Sequence, residues 1–339
     1  MKLTVFAIPA FFLSFVFFAA SLLAGTPDGL PEIPRQGALD GHRHRVIVST
    51  DLGGSDEDDI QSMIHFLVYS DLFDVEGLVS SPPGKGRAAD ILRVIDAYEK
   101  DYPHLKRHSK RFPPPARLRS ITVQGAEAKA PPAGYRENGT PGSERIAARA
   151  MDKTDPRPLH VLVWGSITDV AQALHDHPEI KPSLRVYFIA SWNRRMDPAA
   201  FRYVQRRHPD LWMIQNETTF RGWYAGGNQS GEWGNRAFVQ QHIKGRGALG
   251  ALFLPLKNGE IKMGDTPSVA FLLKGAPNNP AAPSWGGQFV PVSPPRPHWW
   301  VDNPAPKFAD SGKPGAKTVS RWRTDFLRDW AARMDWCRF

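Results

Sequence analysis

One cysteine, Cys337, stands among 339 residues, so the chain forms no internal disulfide and no cysteine-rich metal cluster. Its core has to stand on packing alone. Eleven histidines occur, but none fall at metal-ligand spacing, and His65, His175 and His177 read as structural or exposed. Neither a Gly-x-Ser-x-Gly elbow nor a phosphate-cradling glycine loop is present, which argues against serine-hydrolase and nucleotide-kinase chemistry. No solenoid or propeller period recurs. Beyond residue 23 no apolar run is long enough to cross a bilayer.

Before residue 24 the pattern is different. Lys2 precedes an almost unbroken apolar run from Leu3 to Leu23, followed by Gly25-Thr26-Pro27-Asp28-Gly29. That is the layout of a secretory signal, with cleavage after Ser21 or Ala24, or an uncleaved anchor, as the two outcomes. The expected organisation is a signal over 1–24, a Pro/Gly-rich leader over 25–44 and one domain over 45–339. Export to the periplasm or the exterior follows, with no membrane contact beyond the signal.

Lys and Arg outnumber Asp and Glu by 43 to 34, a formal charge of +9. The basic residues are scattered (Arg43, Lys106-Arg107, Lys110-Arg111, Arg194-Arg195, Arg206-Arg207) and accompany no nucleic-acid module. The reading is a solvated basic surface and no nucleic-acid partner. A hydrophobic content of 41% is enough for a full core.

From Val46 onward short apolar runs alternate with segments of helical periodicity. Strands are expected at 46–48, 73–80, 159–164, 184–190 and 211–215. Helices are expected from 60 to 68, then at 88–102, 143–151, 167–175, 198–207, 235–242 and 267–274. The stretch 106–142 reads as surface chain with a short helix near 118–123. The Pro/Gly-rich tail 277–317 reads as a wrapping extension that ends in an amphipathic helix over 319–334. Strands alternating with helices imply an α/β fold, a mostly parallel sheet with helices on both faces. Ligands in such sheets bind at the carboxyl ends of strands. That directs attention to the loops after Thr50, Ser80, Trp164 and Ala190.

The first of these loops is acidic: Asp51-Leu52-Gly53-Gly54-Ser55-Asp56-Glu57-Asp58-Asp59. Carboxylates this crowded either stay partly protonated or bind a cation. Calcium suits oxygen-only ligation. The alternative is that Asp58 and Asp59 merely cap the following helix. Capping accounts for neither the two glycines nor Asp51 directly after the strand.

Several motifs extend the pattern: Val48-Ser49-Thr50-Asp51-Leu52-Gly53-Gly54, Asp58-Asp59-Ile60-Gln61-Ser62, Phe73-Asp74-Val75-Glu76-Gly77-Leu78, Trp164-Gly165-Ser166-Ile167-Thr168-Asp169, Asn193 with Asp197-Pro198-Ala199-Ala200, His208-Pro209-Asp210-Leu211, and Gly264-Asp265-Thr266-Pro267-Ser268. Together, from about Arg45 to about Val290, the chain resembles the nucleoside hydrolase-like domain, whose secreted bacterial members are often described as cellulose-binding or of unknown function. The resemblance implies a calcium ion held by Asp51, Asp59, the Trp164 carbonyl and Asp265. It implies that Asp51 also serves as general base toward a calcium-bound water that attacks an anomeric carbon. Asp58 and Asn193 are implied to hold the sugar, a small glycoside or nucleoside-like substrate.

The chain departs from that family in four places. The first loop is lengthened, which makes Asp56 a further ligand candidate. Ser80-Ser81-Pro82-Pro83-Gly84 stands where a sugar-binding asparagine is expected. Ser191-Trp192 replaces an acidic residue before Asn193. Gly264 replaces the histidine that helps a base depart.

Trp192, Trp223, Tyr224, Trp285, Trp299 and Trp300 are candidates for stacking on sugar rings, with Trp299 expected at the surface. Glu217, after the 211–215 strand, is a candidate acid or a surface residue. Two functions fit the sequence. One is a calcium-dependent hydrolase of N-glycosyl or related glycosyl bonds. The other is a non-catalytic carbohydrate- or polysaccharide-binding protein on the same fold.

Overall fold

The computed structural model describes residues 43–54, 56–294 and 296–338. The expected signal and nearly all of the expected leader lie outside the described residues. No helix among those residues is long and apolar enough to cross a membrane.

Eight strands form one sheet: β1 (His44–Thr50), β2 (Phe73–Ser80), β3 (Thr122–Gln124), β4 (Leu159–Val163), β5 (Leu184–Ile189), β6 (Met213–Asn216), β7 (Phe289–Pro291) and β8 (Trp299–Asp302). Their order is β3-β2-β1-β4-β5-β6-β8-β7. All pairings are parallel except β7 with β8. The four longest strands are buried along nearly their whole length and each contains a cluster of Val, Ile, Leu or Phe, as strands covered on both faces require. Leu159, Val161 and Val163 of β4 and Leu184, Val186 and Phe188 of β5 share one core with Ile146, Val170, Leu174, Ala200 and Val204. Those last residues come from the helices Pro141–Ala150, Thr168–Asp176 and Pro198–Arg207. Alternate residues point the other way, and the Tyr187 ring meets Phe271 of the helix Thr266–Leu273, with centroids 5.5 Å apart.

At the amino ends of the strands, the buried Arg45 guanidinium bridges Glu76 at 2.7 and 3.0 Å. Arg149 also reaches Glu76, at 2.9 Å. This network anchors the end of the sheet opposite the expected site.

Several sequence expectations change. The short helix expected near 118–123 ends at Ser120 and gives way to β3. The helix expected at 88–102 runs through Pro103 to His108, with Leu105 buried in its last turn. The helix expected at 143–151 starts at Pro141, because Thr140 accepts a bond from the Ser143 backbone N–H and proline suits the first helical position. The tail does more than wrap: β8 inserts between β6 and β7 and extends the parallel sheet. Trp299 is consequently fully buried, its indole N–H bonded to Gln215 at 3.1 Å, and is not a surface residue. Trp223, stacked on Phe326 at 3.8 Å, and Trp285 are core residues too. The lone Cys337 is buried.

Candidate metal centre

β1 lies between β2 and β4, where the strand order reverses direction. A crevice opens at that point in doubly wound sheets. Asp51 leaves β1 there, and Gly54 N–H bonds back to the Asp51 carbonyl at 2.9 Å in a tight turn. Gly53 sits at φ +92°, and a Cβ on it would lie 2.2 Å from an Asp90 carboxylate oxygen, so only glycine fits. Gly165, after β4, is equally constrained: its Cβ would lie 2.8 Å from the Asp51 nitrogen.

The turn feeds the helix Asp58–Val68, whose Met63, Ile64, Leu67 and Val68 face the core. Asp58 and Asp59 lie inside its first turn, and no side chain caps it. The capping alternative therefore does not describe these carboxylates. Asp59 is instead bonded by the Thr50 hydroxyl.

Asp265 arrives from a remote part of the chain. Gln61 holds that segment: its Nε2 donates to the Glu260 carbonyl at 2.8 Å, and its Oε1 accepts from the Lys262 and Met263 N–H groups at 2.9 and 3.1 Å. Thr266 and Ser62 hydroxyls meet at 3.1 Å. Behind them the Trp164 indole donates to Ser268, whose hydroxyl donates to the Asp265 carbonyl, both at 2.7 Å.

Carboxylate oxygens of Asp58, Asp59 and Asp265 thus all lie within 4.8 Å of one another. Asp51 is outside that trio but touches Asp59. All four line one cavity of about 560 Å³ with Trp164, Asn193, Trp192, Phe220, Tyr224 and Lys262. Asp51, Asp58, Asp59, Trp164, Asn193 and Asp265, the residues the resemblance implies, all border this space, whereas the candidates Trp223, Trp285, Trp299, Trp300 and Glu217 do not.

The electrostatics mark a site short of positive charge. Burial, with Asp56 adding repulsion, pushes the Asp51 carboxyl up to about 6. Burial and the charge of Asp56 push Asp58 up to about 7. Asp59 and Asp265 rise well above the usual range through burial and their acidic neighbours. Asp265 Oδ2 is buried with no hydrogen-bond partner among the described residues. Buried carboxylates without partners are rare. An oxygen-only set of this kind fits a hard divalent cation, calcium above zinc.

Asp56 differs from the rest. Burial pushes it up, but Lys262 and Lys257 outweigh that and hold it below the usual carboxylate range. With two ammonium groups bound to it, its charge is already balanced.

Asn193 donates its amide to the Trp164 carbonyl at 2.5 Å and to the Ile189 carbonyl at 2.9 Å, so it orients the carbonyl expected to bind metal. A Cβ at Gly264 would lie 2.8 Å from the Asp58 carboxylate and 3.4 Å from the Phe220 ring, so a histidine there would have to displace the Asp58 side chain. Glu217 is paired with Arg194 at 2.7 Å and borders a different cavity. The sequence reading missed Gln61, Lys262 and Phe220. Only Gln61 carried a signal, its place two residues after the Asp58-Asp59 pair.

The chain matches the model of the family described as cellulose-binding Sde182, nucleoside hydrolase-like domain, over residues 45–289. No curated protein matches it. Among solved structures it is similar to a nucleoside hydrolase-related protein of Saccharophagus degradans associated with carbohydrate metabolism. Identity is 27%, coverage is 88% of this chain and 72% of that one, and the TM-score is 0.71. An inosine-uridine preferring nucleoside hydrolase of Bacillus anthracis shares the fold, at 16% identity over 86% of this chain and 99% of that one, with a TM-score of 0.50. The sheet order, the helices on both its faces and the match across residues 45–289 lead to one conclusion: the chain belongs to the Sde182 nucleoside hydrolase-like family.

Proposed function

We propose that the chain is an exported, calcium-dependent hydrolase of N-glycosyl or related glycosyl bonds. The observation that carries this reading is the meeting of Asp58, Asp59 and Asp265 within 4.8 Å on the floor of a cavity that Asp51 also lines. In this reading Asp51, Asp59, Asp265 and the Trp164 carbonyl hold the ion. Calcium, when bound, supplies the positive charge that lets the carboxylates ionise together and that polarises nearby water.

The chain's own groups do the rest. Asp51 accepts the proton of the water that attacks the anomeric carbon. Asp58 accepts from sugar hydroxyls. Asn193, with its amide nitrogen already committed, keeps Oδ1 to accept another. The surrounding negative charge favours an oxocarbenium-like centre as the glycosyl bond breaks. Gly264 supplies no imidazole for the departing group, and the Tyr224 hydroxyl is a neutral O–H donor that lines the same cavity.

A panel of nucleosides and aryl glycosides tests the reading. Wild type is expected to release product only with calcium, and Asp51→Asn to lose roughly a hundredfold or more in rate while remaining folded. A wild type that releases nothing from the panel, with or without calcium, ends the hydrolase reading.

One observation favours a second reading, carbohydrate binding without turnover. Trp192, at the border of the cavity, is 64% exposed, an unusual surface for so large a ring. The family's cellulose-binding description and the carbohydrate association of the Saccharophagus protein support a sugar ligand. Retention on insoluble cellulose, weakened in Trp192→Ala, is the expected result. Wild type washing straight through removes this second reading.

A further inference from the structure

A second cavity, about 620 Å³, opens beside the helix Pro198–Arg207 and is lined by Arg194, Arg195, Arg202, Phe201 and Glu217. Glu217 is its one carboxylate. That carboxylate is already committed, accepting from Gln215 at 2.7 Å and pairing with Arg194 at 2.7 Å. Arg195 and Arg202 are exposed and have no acidic partner among the described residues. The recess therefore presents two unbalanced guanidinium groups over a partly apolar floor.

Two loops separate this recess from the acidic cavity, and each contributes to both. After β5, Ser191, Trp192, Asn193 and Met196 line the acidic side, while Arg194 and Arg195 line the other. After β6, Arg221 lines the acidic side and donates to the Glu217 carbonyl at 2.8 Å, while the Glu217 side chain lines the other. The exposed Trp192 ring belongs to this shared wall.

We infer that the second cavity is a subsite for the anionic group of an acidic glycan, a carboxylate or a sulfate, on a sugar unit next to the one held in the acidic cavity. Guanidinium groups bind either group through paired N–H donors, and unbalanced positive charge in a recess concentrates anions. A glycan chain crossing the shared wall has the Trp192 face to lie on. A nucleic acid is disfavoured, because phosphates flanking the recess would face the carboxylates of the neighbouring cavity. The inference rests on the carbohydrate reading above and adds charge to the ligand.

Calorimetric titration of the full chain with an oligosaccharide carrying one uronate unit among neutral sugars, one carrying a single sulfated unit among neutral sugars, and neutral cellohexaose tests it. The two acidic arms tell carboxylate from sulfate as the source of the anion. Wild type is expected to bind at least one acidic ligand more tightly than cellohexaose. Arg195→Ala/Arg202→Ala is expected to lose roughly tenfold on the acidic ligand, the size of one charge-assisted contact, with cellohexaose unchanged. Lys110→Ala/Arg111→Ala, which removes the same charge outside both cavities, is expected to change nothing. Equal loss in that control, or displacement by a single-stranded oligonucleotide, overturns the inference as general polyanion attraction. Cellohexaose binding without preference for an acidic ligand overturns it while leaving the carbohydrate reading standing.

Discussion

Asp265 holds the N-cap position of the helix Thr266–Leu273, yet its side chain accepts no capping bond. A carboxylate that forgoes its local partner, lies buried and sits beside Asp58 and Asp59 costs stability until a cation arrives. Asp265→Asn removes one of the repelling charges. Without metal, the variant is expected to melt at or above the wild-type temperature. Calcium at about a hundred times its Kd stabilises wild type by about 2.7 kcal/mol, and the variant is expected to lose most of that gain. Scanning fluorimetry with and without calcium reads both, and a variant with the full calcium shift would remove Asp265 from the site. The first-loop aspartates were legible because they are neighbours in sequence. Asp265 was legible only through family resemblance, since the bonds that bring its segment to the first helix span about 200 residues. The bond between Asn193 and the Trp164 carbonyl depends on loop geometry that spacing does not encode.

At the level of elements, the helix Asp58–Val68 and the segment before Asp265 are joined through one side chain. Gln61 satisfies two backbone N–H groups and one carbonyl that belong to no helix or strand ladder. Gln61→Leu keeps the bulk and strands those groups, at a cost of roughly 1–3 kcal/mol. Chemical denaturation is expected to show that loss, and calcium titration a weaker affinity, because Asp265 is no longer held in register. If both measurements match wild type, the clamp has no such role. The longer strands were readable from their clustered apolar residues, β1 only over its central Val46-Ile47-Val48. β3, β7 and β8 were not: each has three or four residues, and the last two are embedded in Pro/Gly-rich chain. Trp299 reads as exposed in such a tail until the pairing of β8 with β6 buries it.

For the molecule as a whole, two buried imidazoles work against stability toward acid. Burial, with Arg333 adding repulsion, pushes His65 down to about 3. Burial, then His44 and Arg185, hold His160 well below its usual 6.5. The folded chain leaves both neutral where the unfolded chain protonates them. Their contribution is therefore full above the unfolded pKa and falls as pH drops below it, by about 1.4 kcal/mol per pH unit for each. The raised carboxyls of the acidic cavity oppose this decline, so the readout is a difference: in denaturant titrations from pH 7.5 to 4.5, His160→Leu is expected to gain on wild type by about 1.4 kcal/mol per pH unit below the unfolded imidazole pKa. An unchanged slope in that variant sinks the assignment.

The same eight-strand sheet ends on both sides in its shortest members, β3 and β7, of three residues each, and β7 closes on Pro291. An outermost strand that short offers a foreign chain almost no ladder to zip onto, and the proline withholds one of its donors. With no disulfide to hold its margins, the fold guards them by brevity, which shields a wide, strongly apolar sheet from stacking edge to edge into fibrils.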